Sequence, residues 1–236
     1  MNPAAPLRRT RIKICGLTRE QDVDAAVAAG TDAIGLVMYP KSPRYITAGR
    51  AAELARRLPP FVTPVLLFVN ATPRDVSDAL EHVPGAILQF HGDETPAQCF
   101  ESARNGRVPY LRAARVPLDA GALLPDLVKY AADFAQAHGL LLDAHVEGYG
   151  GGGKTFNWSL LPPNVDAHLV LSGGLTPANV AEGIAALRPR GKSLAVDVSS
   201  GVEASKGIKD AGKIAAFIAA VRAEDARHGH DPSSNS

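Results

Sequence analysis

Cysteine is almost absent: the 236 residues contain Cys15, Cys99 and no others. Two thiols cannot build a disulfide framework, and their scarcity suits a reducing compartment, so a cytoplasmic location is expected. A charge excess of either sign is missing too. Lys and Arg number 25 against 24 Asp and Glu, a formal net charge of +1. A dedicated nucleic-acid binder carries a basic excess or stripe, so no nucleic-acid partner is expected. Long apolar runs are missing as well. The longest uncharged stretch, Leu58–Pro73, holds four prolines and falls short of the roughly 18 residues of a membrane span, so no membrane partner is expected. Arg8, Arg9 and Arg11 lie near the N-terminus with no apolar segment after them, which does not fit a secretory signal. What remains, 46% apolar and 21% charged residues, is the balance of a soluble globular chain.

Short β-branched runs alternate with helical patterns. The runs that read as strands are Arg11–Gly16, Ala33–Tyr39, Val62–Val69, Ala86–His91, Pro109–Val116, Gly139–His145, His168–Gly173 and Ser193–Ser199. Between them Arg19–Ala29, Ala48–Leu58, Pro73–Glu81, Pro96–Asn105, Leu123–Ala137 and Pro177–Leu187 carry apolar residues near helical spacing. Thr18, Thr47, Thr72, Thr95 and Thr176 precede such stretches as N-caps, three of them followed by proline. The sixth connection, Glu147–Pro163, is glycine-rich and leaves room only for a short helix. Eight parallel βα units of about 30 residues each fit a minimal (β/α)8 TIM barrel. Periodicity alone leaves a doubly wound sheet as the alternative. The expected domain is the whole chain, 1–236, with its core at about 11–222 and loose extensions at 1–9 and 224–236.

The functional face of such a barrel lies at the C-terminal ends of its strands. Period two puts Lys13 and Cys15 on the inner face of the first strand and Ile12 and Ile14 on the outer one. A thiol beside a buried ammonium has its thiolate favoured; the bland reading of Cys15 is a small buried hydrophobe. Asp143 and Asp197 each end or interrupt an apolar run, a costly place for a carboxylate unless it is paired or reactive. Ser172-Gly173-Gly174 and Ser199-Ser200-Gly201 follow strands seven and eight, where this fold builds its phosphate site. Paired glycines there let backbone N–H groups face an anion. Arg44 offers a fork for a carboxylate. Gln89 and His91 share a face of strand four. His91, Asp93 and Glu94 are metal-ligand types, but no second ligand cluster supports a metal, and none is expected.

Residues 148–155, GYGGGGKT, fit the phosphate-loop pattern G-x-x-x-x-G-K-[ST] in full. That pattern needs a helix next. FNWSLLPP follows instead, and its two prolines allow little more than one turn. A lid, or backbone donors for a phosphate, is the better reading.

Taken together, KICGLT (13–18), GLVMYPKSPRYI (35–46), FVN (68–70), LQFHGDE (88–94), YGGGGKTFNW (149–158), LSGGLTPANV (171–180), DVSSGVE (197–203) and GIKDAGK (207–213) resemble the phosphoribosylanthranilate isomerase family of tryptophan biosynthesis. The blocks run from about residue 11 to 222. The resemblance implies a (β/α)8 barrel that performs an Amadori rearrangement on a small phosphorylated substrate without a cofactor. It places the base on Cys15, the acid on Asp143 and the carboxylate-binding arginine on Arg44, with His91 and Asp197 as further substrate contacts. Its phosphate loops fall on Gly152 and Gly153, on Ser172, Gly173 and Gly174, and on Ser199, Ser200 and Gly201. A monomer or a homodimer is compatible with it. Small departures from the family pattern, at Phe90, Ala144, His145 and Asn157, remove none of these groups. Another sugar-phosphate barrel isomerase or epimerase, or a barrel that binds a phosphorylated ligand without catalysis, is the alternative.

Overall fold

The computed structural model describes residues 9–116, 126–144, 157–158 and 161–228. Eight strands close into a barrel in sequence order. They are β1 (Arg11–Cys15), β2 (Ala33–Val37), β3 (Thr63–Phe68), β4 (Ile87–Phe90), β5 (Tyr110–Val116), β6 (Gly139–Ala144), β7 (His168–Leu171) and β8 (Ser193–Val198). Every neighbouring pair is parallel, and β1 pairs with β8 to complete the ring. The eight expected strands are all present, and the closed ring replaces the doubly wound alternative. Around them lie α1 (Glu20–Ala29), α2 (Ala48–Ala55), α3 (Pro73–His82), α4 (Pro96–Ser102), α5 (Leu127–Asp133), α6 (Val180–Leu187) and α7 (Ala211–His228). The connection from β6 to β7 contains no α-helix among its described residues.

Strand alternation divides the apolar side chains into layers. Ile12 and Ile14 face outward and join Leu36, Leu66, Leu88, Leu140, Leu142 and the helices in one continuous core. Inside the ring, Leu141, Ala113 and Val170 fill the lower barrel. Cys15, Val37, Leu67 and Val69 form a separate inner cluster near the C-terminal rim. Each large apolar side chain so buried contributes roughly 1.5–3 kcal/mol. Lys13 and Cys15 thus point inward, as the period of the strand requires.

Helix starts follow the local chemistry in three of five cases. The Thr47 hydroxyl accepts from the Arg50 N–H, and Thr72 and Thr95 form capping boxes with Asp75 and Gln98 ahead of Pro73 and Pro96. Thr18 and Thr176 do not cap. The Thr18 hydroxyl donates to the Gly207 carbonyl, and α1 starts one residue later without a side-chain cap. After Thr176 the chain makes a turn closed by Asn179, whose Oδ1 accepts from the Thr176 N–H, so α6 begins only at Val180. The fifth helix runs from Leu127, with Asp126 accepting from the Val128 and Lys129 N–H groups; the expected start at Leu123 lies outside the described residues. An element absent from the sequence reading follows β8: a short antiparallel hairpin of β9 (Glu203–Ser205) and β10 (Ile208–Lys209).

The C-terminal extension expected to be loose from residue 224 continues as helix to His228. Its polar composition hides a helical face: Ile214, Phe217, Ile218 and Val221 are buried, and Glu224 follows on the same face, also buried. Asp225 ties this helix to the start of β1. Its carboxylate accepts from the Thr10 N–H (2.9 Å) and hydroxyl (2.6 Å) and from Arg188 Nη2 (2.7 Å). Burial pushes the Asp225 carboxyl up, but the Thr10 and Arg188 bonds outweigh it and hold the group below its ordinary value. A depressed carboxyl stabilises the fold above its unfolded pKa, and that contribution disappears as pH falls through the folded value. Asp225→Ala is therefore expected to cost about 2–3 kcal/mol near neutrality in denaturant unfolding, and progressively less below about pH 4. A penalty that grows on acidification would contradict this account.

Candidate active site

The inner face of β1 begins the site. Lys13 lies opposite Asp197 in the β1–β8 register, and its Nζ donates to Asp197 Oδ1 at 2.9 Å with both side chains about 5% exposed. Asp197 Oδ2 accepts from the Ser172 hydroxyl at 3.2 Å. Burial alone would lower the Lys13 pKa; the Asp197 carboxylate and the neighbouring Cys15 outweigh it and raise it, so the ammonium is permanent. Two residues along β1, Cys15 faces Gly35 of β2. A Cβ at Gly35 would lie 2.5 Å from the Cys15 sulfur, so glycine there makes the room that the thiol occupies.

Lys13 favours the Cys15 thiolate as expected, but it does not prevail. Burial pushes the thiol above its ordinary value, the Lys13 charge pulls it down by less, and the Asp197 carboxylate adds a smaller upward push.

Asp143 ends β6 on the other side of the barrel and is 4% exposed. Its Oδ2 lies 2.9 Å from His91 Nε2, and His91 Nδ1 lies 2.9 Å from Gln89 Nε2. With the Gln89 amide donating, Nδ1 is the acceptor, so Nε2 carries the hydrogen and donates to Asp143. His91 therefore orients Asp143, and Gln89 fixes the tautomer of His91. His91, Asp93 and Glu94 do not converge. Glu94 accepts from the Asn70 and Gly92 N–H groups and from Arg112, while Asp93 turns to Asn70 and Arg115. Among the described residues, no group of three or more His, Cys, Asp or Glu is placed to hold a metal ion.

Arg44 is held by an acid that the sequence reading did not single out. Its Nε and Nη2 donate to Glu203 Oε1 and Oε2 at 2.7 and 2.8 Å, a bidentate pair. Lys209 Nζ donates to the same Oε1 at 2.9 Å. Glu203 and Lys209 both belong to the β9–β10 hairpin and are 6 residues apart, and Glu203 is 159 residues from Arg44. Glu203 and Lys209 fall in the blocks DVSSGVE and GIKDAGK, yet no local spacing announces the contact of Glu203 with Arg44.

The loops after β7 and β8 complete the rim. Gly173 and Gly174 adopt positive φ, 80° and 65°, and their N–H groups have no hydrogen-bond partner among the described residues. Ser199 and Ser200 stand beside them. Gly201 lies behind: a Cβ there would meet the Leu175 carbonyl oxygen at 1.9 Å, so glycine allows the two loops to touch backbone to backbone. An open cavity at the strand ends is lined by Cys15, Arg44, His91, Asp143, Ser172, Gly173, Gly174, Asp197, Ser199 and Ser200, together with Tyr39, Val37 and Leu67. Gly201 is not part of its wall. Gly152, Gly153 and the rest of the glycine-rich segment 148–155 lie outside the described residues.

A closed parallel barrel with a buried thiol and a buried carboxyl lining one cavity at the strand ends has the layout of one class of protein, the barrel enzymes. Its neighbours narrow it. The family model described as "N-(5'phosphoribosyl)anthranilate (PRA) isomerase" matches residues 12–220, and the chain belongs to that family. A curated N-(5'-phosphoribosyl)anthranilate isomerase of Leptothrix cholodnii is 62% identical over 219 residues, 93% of this chain and 94% of that protein. The crystal structure of phosphoribosyl anthranilate isomerase from Thermotoga maritima superposes with a TM-score of 0.78 at 40% identity, covering 91% of this chain and 99% of that one. A further isomerase structure, in complex with reduced 1-(O-carboxyphenylamino)-1-deoxyribulose 5-phosphate, superposes at 0.72 with 36% identity, again over 91% and 99%.

The Lys13–Asp197 pair makes a thermodynamic prediction. Lys13→Met leaves Asp197 buried without its cation and is expected to cost about 3–5 kcal/mol. Lys13→Met combined with Asp197→Leu removes the orphaned charge and is expected to recover most of it. Additive losses in the double variant, measured by denaturant unfolding, would contradict the pairing.

Proposed function

We propose that this chain catalyses the Amadori rearrangement of N-(5-phosphoribosyl)anthranilate to 1-(2-carboxyphenylamino)-1-deoxyribulose 5-phosphate in tryptophan biosynthesis, in the cytoplasm and without nucleic acid or membrane as partner. Membership of the isomerase family supports the reaction. The observation that carries the reading of the site is the convergence of Cys15, Asp143 and Arg44 on one cavity, opposite the two glycines of the β7 loop.

In this reading Asp143 is the general acid. Its proton goes to the ring oxygen of the ribose, the ring opens, and the nitrogen lone pair forms a C1 iminium. Cys15 is the general base. Its thiolate takes the proton from C2, and the electron pair of that C–H bond neutralises the iminium to give an enolamine. Protonation at C1 and loss of the enol proton then yield the ketone. The acid and the base need only one proton between them: thiolate with carboxylic acid is a tautomer of thiol with carboxylate, and it is this tautomer that reacts. Once Asp143 has given its proton to the ring oxygen, the positive iminium holds the sulfur as thiolate until it takes the C2 proton. His91, directed by Gln89, holds Asp143 in place. Asp197, already bonded to Lys13 and Ser172 on the cavity wall, is within the space a sugar hydroxyl or the amine would occupy.

Phosphate is proposed to bind at Ser172, Gly173, Gly174, Ser199 and Ser200, with Gly152 and Gly153 closing over it. The free N–H groups of Gly173 and Gly174 support this. Gly201 acts instead by letting the two loops pack. Binding energy from the phosphate, remote from the reacting carbons, orients C1 and C2 between acid and base.

The test is turnover of freshly made N-(5-phosphoribosyl)anthranilate, followed by loss of anthranilate-type fluorescence. Wild type is expected to consume it rapidly. Asp143→Asn and Cys15→Ser are each expected to lose at least about 100-fold in kcat with the fold intact. Near-normal turnover in one variant removes that residue from its role, and no turnover by folded wild type moves the assignment to another phosphorylated substrate or to binding alone.

A further inference from the structure

Arg44 lines the cavity, but the two residues that hold it do not. A guanidinium is a flat fork with five N–H bonds. Glu203 takes the side edge, one N–H from Nε and one from Nη2. The end edge, formed by Nη1 and the second N–H of Nη2, has no hydrogen-bond partner among the described residues. That end edge is the second face able to grip a carboxylate with two parallel bonds.

The surroundings leave the arginine little freedom. A Cβ on Gly16 would meet Arg44 Cδ at 2.4 Å, so the aliphatic stem lies directly on bare backbone. Lys209 holds Glu203 from behind and also donates to the Ser199 carbonyl at 3.0 Å, which ties the hairpin to the loop after β8. Thr18 fixes the hairpin turn through the Gly207 carbonyl. Charge points the same way. Arg44 and Lys209 bring two positive charges and Glu203 one negative charge, so the buried cluster is one anion short on the side where Arg44 faces the cavity. The Arg44 bonds and Lys209 hold Glu203 ionised against the opposing pull of burial.

We propose that Glu203, backed by Lys209, is a specificity-determining positioning residue: it clamps the side edge of Arg44 so that the end edge meets the carboxylate of an N-aryl substrate. The inference rests on the reading of Arg44 given under Proposed function and deepens it. Glu203 touches no substrate. It fixes the direction of a fork that would otherwise turn, and this preorganisation is what makes a carboxylate at one ring position count.

The experiment compares kcat/KM for N-(5-phosphoribosyl)anthranilate with that for N-(5-phosphoribosyl)aniline, which lacks only the carboxylate. Wild type is expected to prefer the carboxylate by more than about tenfold, as a charge-assisted pair should. Arg44→Ala is expected to abolish the preference. Glu203→Gln, which loses the charge, and Glu203→Asp, which shortens the arm, are each expected to reduce it by about tenfold, mainly through KM for the anthranilate compound. The double variant Arg44→Ala with Glu203→Gln should lose no more of the preference than Arg44→Ala alone. If neither Glu203 variant folds, Lys209→Met carries the same expectation, a smaller preference at comparable kcat. A preference that depends on Arg44 but is unchanged in the folded Glu203 or Lys209 variants overturns the proposal and leaves the proposed function standing. An enzyme that turns over both compounds with no preference in wild type overturns the role of Arg44, and this inference with it.

Discussion

A buried ion pair closes the barrel and lays the floor of its active site. Lys13 on β1 meets Asp197 on β8 where the first and last strands join. Taking an ammonium and a carboxylate out of water is expensive, and the attraction between them offsets that cost only if both are present and well bonded. Ser172 supplies the further bond to Asp197. The pair adds little stability beyond what apolar residues of the same size would give. Its consequence is electrostatic: Lys13 pulls the Cys15 thiol down, the Asp197 carboxylate offsets part of that pull, and burial outweighs what is left, so the thiol is held above its ordinary value.

The remaining charges follow from that arrangement. With Lys13 committed to Asp197, the net positive charge of the cavity lies at the other wall, where Arg44 and Lys209 share Glu203. In the proposed reading the anionic aryl group binds there, and the phosphate binds at the Gly173 and Gly174 N–H groups, which have no partner among the described residues, on the loop that also carries Ser172. The two anionic ends would then hold the reacting carbons between Cys15 and Asp143. No group in this scheme has to move far. The barrel strands set the inner residues, and the hairpin and the loops set the rim.

How far this was legible in the sequence depends on the range of the interaction. The eight strands were legible because alternation and β-branching are local signals, and Lys13, Cys15, Asp143 and Asp197 fell on the inner face for that reason. Thr72 and Thr95 were legible as caps because a capping box needs only four consecutive residues. Thr18 failed because its hydroxyl is taken by Gly207, far along the chain. The end of α7 was missed because Glu224 and Asp225 read as part of a polar tail, whereas Arg188 and Thr10 bond Asp225 and Glu224 is buried. Glu203 and Lys209 were visible only as members of blocks in a family resemblance; the contact of Glu203 with Arg44, and of Lys209 with Glu203, is one that no spacing encodes. The pull of Lys13 on Cys15 was legible because the two residues are two apart on one strand, whereas the burial that outweighs it is a tertiary feature.

The measurement that bears most directly on this account is the titration of Cys15 itself, by thiolate absorbance in the full-length protein with Cys99→Ala to remove the second thiol. The account predicts a midpoint above the ordinary thiol value of 9.0 in the free enzyme. A midpoint below that value would mean that Lys13 activates the sulfur at rest, and would contradict the claim that burial outweighs Lys13 and keeps the base of the free enzyme as a thiol.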